Sequence, residues 1–441
     1  MDYYATPRTS SIKHSVRSPG ERECSSEIAL RASLLVNASI MLYFLGIPKL
    51  FIRDPLSQEA GPQAIIELAS LGAAFACAAS AALMTGKVRR LPPGVVGFLL
   101  FGAVTLLSSA NSFWPALSTV KAITYICILV TALLWCSVCD PLKVLFYIYC
   151  SIVLLCLLAI VLGIALPGTF PLFTVDEYSS RMRLSLFGSE YGGIGSITAI
   201  GFLLGRIKPL RVWPICQWLM FILTAATGGR AGILTLVIIL AAGAGWRYVR
   251  EHGFDAPFIA CAFLMAFILV GFWFSASGGT ALRPVSNAIE AFYGEQRMED
   301  IQTLDGRTEV FPVALALAAA HPAIGWGMDG ARNSLLRAVP WAGEAHNAYL
   351  DLLVSGGAAG FLLFVAGMAF CFRDSLRMSA DYRRHALAIQ CWVAIVAMIA
   401  AIFRGDQSFG VVIFVCLSLL SSRPAQFTAT AGEPKPATAS D

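Results

Sequence analysis

The chain has 441 residues, 57% of them hydrophobic and only 13% charged, with a mean hydropathy of +0.71. These values exclude an ordinary soluble domain and indicate a polytopic membrane protein. The formal net charge of +5 comes from basic residues scattered through short connections, so no patch of the kind that binds nucleic acid is formed.

Residues 1–27 are polar, without an apolar core or a small-residue cleavage site, and read as a disordered cytoplasmic tail rather than a signal peptide. A spanning helix takes roughly 20 mostly apolar residues. Twelve such runs follow: Ile28–Ile47, Pro62–Thr85, Gly94–Ala110, Pro115–Trp135, Leu142–Leu166, Gly188–Gly205, Trp213–Thr227, Ala231–Trp246, Pro257–Ser275, Ala348–Phe372, Ala386–Phe403 and Gln407–Leu420. They predict one membrane domain over 28–421, all α-helical, with a second disordered tail at 422–441. With the N-terminus in the cytoplasm, the inner connections hold most of the 32 Lys and Arg, among them Lys87, Arg89, Arg90, Arg206, Lys208, Arg211, Arg373, Arg377, Arg383 and Arg384. That asymmetry predicts that both termini are cytoplasmic.

Two outer segments break the pattern of short connections. Pro167–Phe187 carries Asp176, Glu177, Arg181 and Arg183, and Ala276–Asn347 is long enough to fold over the mouth of the bundle. In the longer one, Val310, Val313, Ala314 and Leu317 recur at helical spacing, which predicts an amphipathic surface helix with Pro312 in its first turn or at a kink. His321-Pro322 ends it, Gly325-Trp326-Gly327 makes a turn, and a further helix starting near His346 runs into the tenth span. None of the twelve Cys lies in that loop. Cys136 and Cys139 form a CxxC at the inner end of a span and read as small apolar packing residues.

Few polar groups are placed for chemistry. Arg230 follows Gly228-Gly229 at a tight outer connection, where it is either a snorkelling anchor or an anion-binding group beside accessible backbone N–H donors. Arg307 opens the surface helix in Asp305-Gly306-Arg307-Thr308-Glu309; a helix N-terminus with an arginine beside it favours a phosphate oxygen, and an intraloop ion pair is the plainer reading. His346, at a helix start, is either a cap or a base able to take a proton from a hydroxyl near neutral pH. Arg183 is a further anion contact or an interfacial charge. The acidic residues show no metal-ligand spacing, and neither a P-loop nor a GxGxxG motif occurs, so neither a metal nor a nucleotide cofactor is implied.

The order of these elements resembles the O-antigen ligase and O-antigen polymerase superfamily over roughly Arg183 to Phe372. Arg230 stands where that family has a Ser-Arg-Gly type motif. Gly306-Arg307-Thr308-Glu309-Val310-Phe311 is similar to its Gly-Arg-x-x-x-Trp helix start, and His321-Pro322-Ala323-Ile324-Gly325-Trp326-Gly327 to its His-Pro-x-x-Gly-x-Gly turn. His346-Asn347-Ala348-Tyr349-Leu350, followed by Gly356-Gly357 and Gly360, resembles its His-Asn/Ser-x-x-Leu block. Gly229 replaces the usual serine and Phe311 the usual tryptophan.

The resemblance implies a metal-independent, inverting GT-C-like glycosyltransferase of the bacterial inner membrane. Its donor is an undecaprenyl-diphosphate-linked oligosaccharide, its acceptor a glycan or lipid A core, and chain-length regulators or export proteins are its expected partners. It implies catalytic roles for His346, Arg307 and Arg230, and substrate contacts for Arg183, Glu309 and Tyr349. An exopolysaccharide or O-antigen polymerase is the expected type, with a ligase as the alternative. A transporter of lipid-linked sugars would place charges near the bilayer midplane, whereas Glu67 and Lys121 lie nearer span ends.

Overall fold

The computed structural model describes residues 19–46, 61–175, 182–184, 191–207, 214–227, 233, 235–243, 307–340, 342–398, 403 and 408–421. Within them run α1 (Pro19–Leu45), α2 (Pro62–Thr85), α3 (Pro93–Ser108), α4 (Pro115–Val138), α5 (Pro141–Ala165), α6 (Tyr191–Leu204), α7 (Pro214–Ala226), α8 (Arg307–Ala320), α9 (Arg332–Ala338), α10 (Ala348–Leu376), α11 (Ala380–Val396) and α12 (Phe409–Ser421). Residues 235–243 are also helical. Proline opens α2 through α5, where its missing N–H costs nothing because the first-turn donors have no partner within the helix. Asp140 adds a side-chain cap by accepting from the Leu142 N–H at 2.8 Å.

The protein is an integral membrane protein. Six helices among the described residues are long and apolar enough to cross a bilayer: Ser26–Leu45, Pro62–Thr85, Pro93–Asn111, Pro115–Val138, Pro141–Ala165 and Ala348–Leu376. The expected count of twelve is therefore met only in part. The runs at 188–205, 213–227 and 407–420 correspond to shorter helices of 13 or 14 residues. The run at 386–403 is helical within Ala380–Val396, and the ninth run, Pro257–Ser275, lies outside the described residues. The fold is all-helical as expected, apart from a short ribbon in which Phe173–Val175 pairs antiparallel with Met182–Leu184 and sets Thr174 opposite Arg183.

Residues Phe409–Leu420 of α12 are buried on every face, as expected of a helix that is apolar all round and surrounded by others. The rings of Phe98, Phe101 and Phe364 meet near it, with centroids 4.9 Å apart for Phe98–Phe364 and 5.3 Å for Phe101–Phe364. Helices α3 and α10 pack with almost no side chain between them. A Cβ on Gly97 would lie 2.8 Å from the Gly367 Cα, a close approach of the small-residue kind that lets membrane helices gain dispersion contacts. The buried Cys136 thiol lies 3.7 Å from that of Cys416, so it packs between α4 and α12.

The side of the membrane that holds α8 and α9 is testable from outside the cell. With Ser334→Cys and Ser379→Cys, an impermeant thiol reagent on intact cells is expected to label the first alone. Labelling of Ser379→Cys but not Ser334→Cys would invert the expected topology.

Candidate functional site

The segment from α8 to the start of α10 builds a small core of its own. Val310, Ala314 and Ala318 of α8 are buried together with Trp326, Leu335 and Val339 of α9 and its flanks, and with Ala342, Ala345 and Val354. The expected apolar stripe is thus the packing face, with Val313 and Leu317 partly buried beside it, while Leu315 and Glu309 face outward. Pro312 sits inside the helix without ending it. The short helix α9 went unpredicted because its seven residues carry only a weak apolar pattern.

The His-Pro-x-x-Gly-x-Gly turn is tied into a break in α10. Gly357 has φ 59° and ψ −164°, a region essentially confined to glycine. The orphaned backbone groups on either side of it are satisfied from the turn. Trp326 N–H donates to Val354 O at 2.9 Å and Gly327 N–H to Ser355 O at 2.9 Å, while Ala358 and Ala359 N–H donate to Pro322 O and Ala323 O at 2.8 and 3.0 Å. Four reciprocal bonds thus restore what the break removes, as a buried backbone requires. The approach leaves no room for side chains: a Cβ on Gly357 would lie 2.5 Å from Ala323 C, and one on Gly325 2.5 Å from Val354 O.

The loop between α3 and α4 supports this clasp from the side. Ser108 Oγ donates to Ile324 O, and Asn111 Nδ2 donates to Gly325 O at 3.0 Å. The Trp326 indole N–H donates to Leu317 O at 2.7 Å, satisfying one of the last carbonyls of α8. Phe113 stacks on Trp326 at 4.5 Å, and the His321 ring meets it edge-on at 4.1 Å. His321 thus packs its ring against the indole that closes the end of α8. Beyond the break, residues 358–376 rise about 28 Å at the α-helical pitch, enough for the hydrocarbon core of roughly 30 Å.

His346 sits just before α10 with φ 50°, a left-handed conformation uncommon outside glycine, though histidine is among the residues enriched there. Its neighbours hold it. Asn347 Oδ1 accepts from Tyr349 and Leu350 N–H at 3.0 and 3.1 Å, Ala345 N–H donates to Asp351 Oδ1 at 3.0 Å, and Ala348 N–H donates to Ala397 O at 2.7 Å. The His346 Nδ1 lies 3.4 Å from Glu344 Oε1. A carboxylate on that side favours the tautomer with its proton on Nδ1 and the lone pair on Nε2, which is how a general base is oriented. Glu344 was not singled out from sequence; its place two residues before the histidine was the available signal.

The other expected site residues are placed as follows. Arg307 opens α8, whose Val310 is buried in the same core as Ala345, the neighbour of His346, so the helix start and the histidine belong to one folded unit. Glu309 is in the first turn of α8 and exposed, where a carboxylate complements the helix dipole. The Tyr349 hydroxyl donates to Ala394 O at 2.9 Å, clamping α10 to α11. Arg183 is in the ribbon opposite Thr174. Arg230 lies outside the described residues. Among the described residues no three metal-ligating side chains converge.

Residues 215–365 match the family model described as O-antigen ligase. This part of the chain resembles an O-antigen ligase domain. This stretch runs from α7 through the clasp and includes Arg230, Arg307, Glu309, Glu344, His346 and Tyr349, while Arg183 falls before it. No curated protein sequence matches the chain. The match over these residues and the six helices long and apolar enough to span a bilayer together support an integral membrane protein resembling the O-antigen ligase and polymerase type.

Proposed function

We propose that the protein is a GT-C-type inverting glycosyltransferase of the bacterial inner membrane that polymerises exopolysaccharide or O-antigen repeat units on the periplasmic side. The donor is an oligosaccharide on undecaprenyl diphosphate and the acceptor a sugar hydroxyl of another lipid-linked chain. The observation that carries the reading is the pinned, left-handed His346 beside Glu344, in the same folded unit as the helix that Arg307 opens. Non-glycine residues held in such conformations by their surroundings cluster at active sites.

The acceptor hydroxyl attacks the anomeric carbon from the face opposite the diphosphate, a C–O bond forms as the bond to the phosphate oxygen breaks, and the anomeric configuration inverts. The proton passes to His346 Nε2 while Glu344 stabilises the imidazolium that results. Negative charge grows on the departing lipid diphosphate, where Arg307 and Arg230 meet it with planar guanidinium forks, aided by the N-terminus of α8. Arg183 and Glu309 contact substrate, and Tyr349 serves by fixing the start of α10. The loop 276–347 is the catalytic loop, with the tails 1–27 and 422–441 in the cytoplasm, and no metal takes part.

The test is the purified protein with lipid-linked repeat units in excess chelator. A ladder of longer lipid-linked chains is expected without further additions. Product only after lipid A core is supplied would identify a ligase instead, and activity restored by a divalent cation would contradict metal independence.

A further inference from the structure

His346 keeps a left-handed backbone, with φ 50°, a conformation that persists in a non-glycine residue only where the surroundings impose it. On its C-terminal side the helix start supplies the constraint, through the Asn347 cap and the bond from Ala348 N–H to Ala397 O. On its N-terminal side a different group acts. The Asp351 carboxylate, in the first turn of α10, reaches back and accepts the Ala345 N–H at 3.0 Å.

This bond extends the logic of a capping box, in which the side chain three residues after the cap accepts the N–H of the cap residue itself. With Asn347 as the cap, Asp351 stands four residues after it and accepts from a residue two before it. The bond therefore closes a tight loop of chain around His346. Ala345 is fully buried, and Gly343 lies against the Arg332 guanidinium of α9, since a Cβ there would stand 2.8 Å from its Cζ. The segment entering the histidine is thus held between α9 and α10. Glu344 lies inside the same segment, so its 3.4 Å approach to His346 Nδ1 depends on that hold.

We infer that Asp351 is a positioning residue for the proposed base. It acts through His346 and not on the substrate, by fixing the turn that aims the imidazole and brings Glu344 to it; this rests on the function proposed above. What the turn needs from Asp351 is an oxygen acceptor at Oδ1 rather than a negative charge.

Two measurements on the full-length protein in detergent test this, in wild type, Asp351→Asn and Asp351→Leu. Initial rates with lipid-linked repeat units give kcat and KM, and peptide mapping after treatment with diethyl pyrocarbonate gives the rate of modification at His346 without any turnover. Asp351→Leu is expected to lose roughly 10²-fold in kcat, the cost of a misaimed catalytic group, with KM for the donor near wild type. Its His346 should be modified roughly tenfold faster, the factor that one hydrogen bond to a charged group holds back. Asp351→Asn keeps a carbonyl acceptor and should stay close to wild type in both.

Wild-type kcat or unchanged His346 reactivity in a well-folded Asp351→Leu would overturn the assignment, as would an Asp351→Asn as impaired as Asp351→Leu. If Asp351→Leu fails to fold, Asp351→Ala is read in its place. If neither folds, Asp351→Asn decides: wild-type behaviour sustains the assignment and a well-folded, inactive protein overturns it. A wild type that makes no glycan, with the modification rates as expected, would instead contradict the proposed function and leave the hold of Asp351 on His346 standing.

Discussion

Arg307→Ala and Arg230→Ala are each expected to lower glycan transfer by roughly 10²- to 10³-fold while leaving the protein inserted and monodisperse, the usual cost of removing one preorganised donor from a developing negative charge. The loss should fall on the rate of transfer more than on donor binding, because the diphosphate carries more charge on its leaving oxygen in the transition state than in the ground state. Lysine should rescue poorly at both positions, since a point charge cannot reproduce a two-pronged contact to phosphate. Initial rates over a range of lipid-linked donor concentrations measure this. Near-normal rates in both alanine variants would remove the arginines from the mechanism.

Gly357→Ala is expected to be severely damaging. The new Cβ would stand 2.5 Å from both Ala323 C and Ile324 N, and the backbone conformation at that position is one only glycine adopts readily. Strain and overpacking together should cost about 3 kcal/mol or more, enough to open the clasp and release His346 from its fixed place before α10. The control is Gly72→Ala in the middle of α2, where nothing lies within 4 Å of the new methyl group and a helical glycine-to-alanine change is neutral or stabilising by roughly 0.5–1 kcal/mol. Thermal unfolding in detergent should separate the two variants clearly. Equal melting temperatures would mean that the break in α10 tolerates a side chain.

Much of this architecture is legible in the chain before any coordinates. The prolines at 62, 93, 115 and 141 mark where helices begin, because proline is tolerated at the first position and nowhere later without loss of a hydrogen bond. The apolar spacing from Val310 to Leu317 gives the helix and its buried face, and Asn347 caps α10 just after the histidine that the sequence singles out. The break at Gly357 is not legible. Ser355-Gly356-Gly357-Ala358-Ala359-Gly360 reads as small-residue helix packing, and the partners that make a break tolerable come from Pro322, Ala323, Trp326 and Gly327, some thirty residues earlier. Nor does hydropathy separate α12, buried on all sides, from a lipid-facing span. Leucine and phenylalanine are as compatible with acyl chains as with protein, so apolar length alone overstates how many runs reach spanning length.

The site divides in the same way. His346, Arg307 and Arg230 draw notice because charged and titratable groups are scarce in a chain that is 13% charged. Glu344 is harder to see because its link to the histidine depends on the left-handed turn at His346, and closeness in sequence alone does not show that the two side chains meet. The role of Tyr349 is likewise set by an element distant in sequence, the carbonyl of Ala394.

The most direct measurement compares wild type and His346→Ala, both purified and supplied with lipid-linked repeat units alone, and follows the products by gel over a time course. Wild type should build a ladder of longer lipid-linked chains, and His346→Ala should leave the starting material unchanged while still binding it. A ladder that persists in His346→Ala would contradict the assignment of His346 as the base.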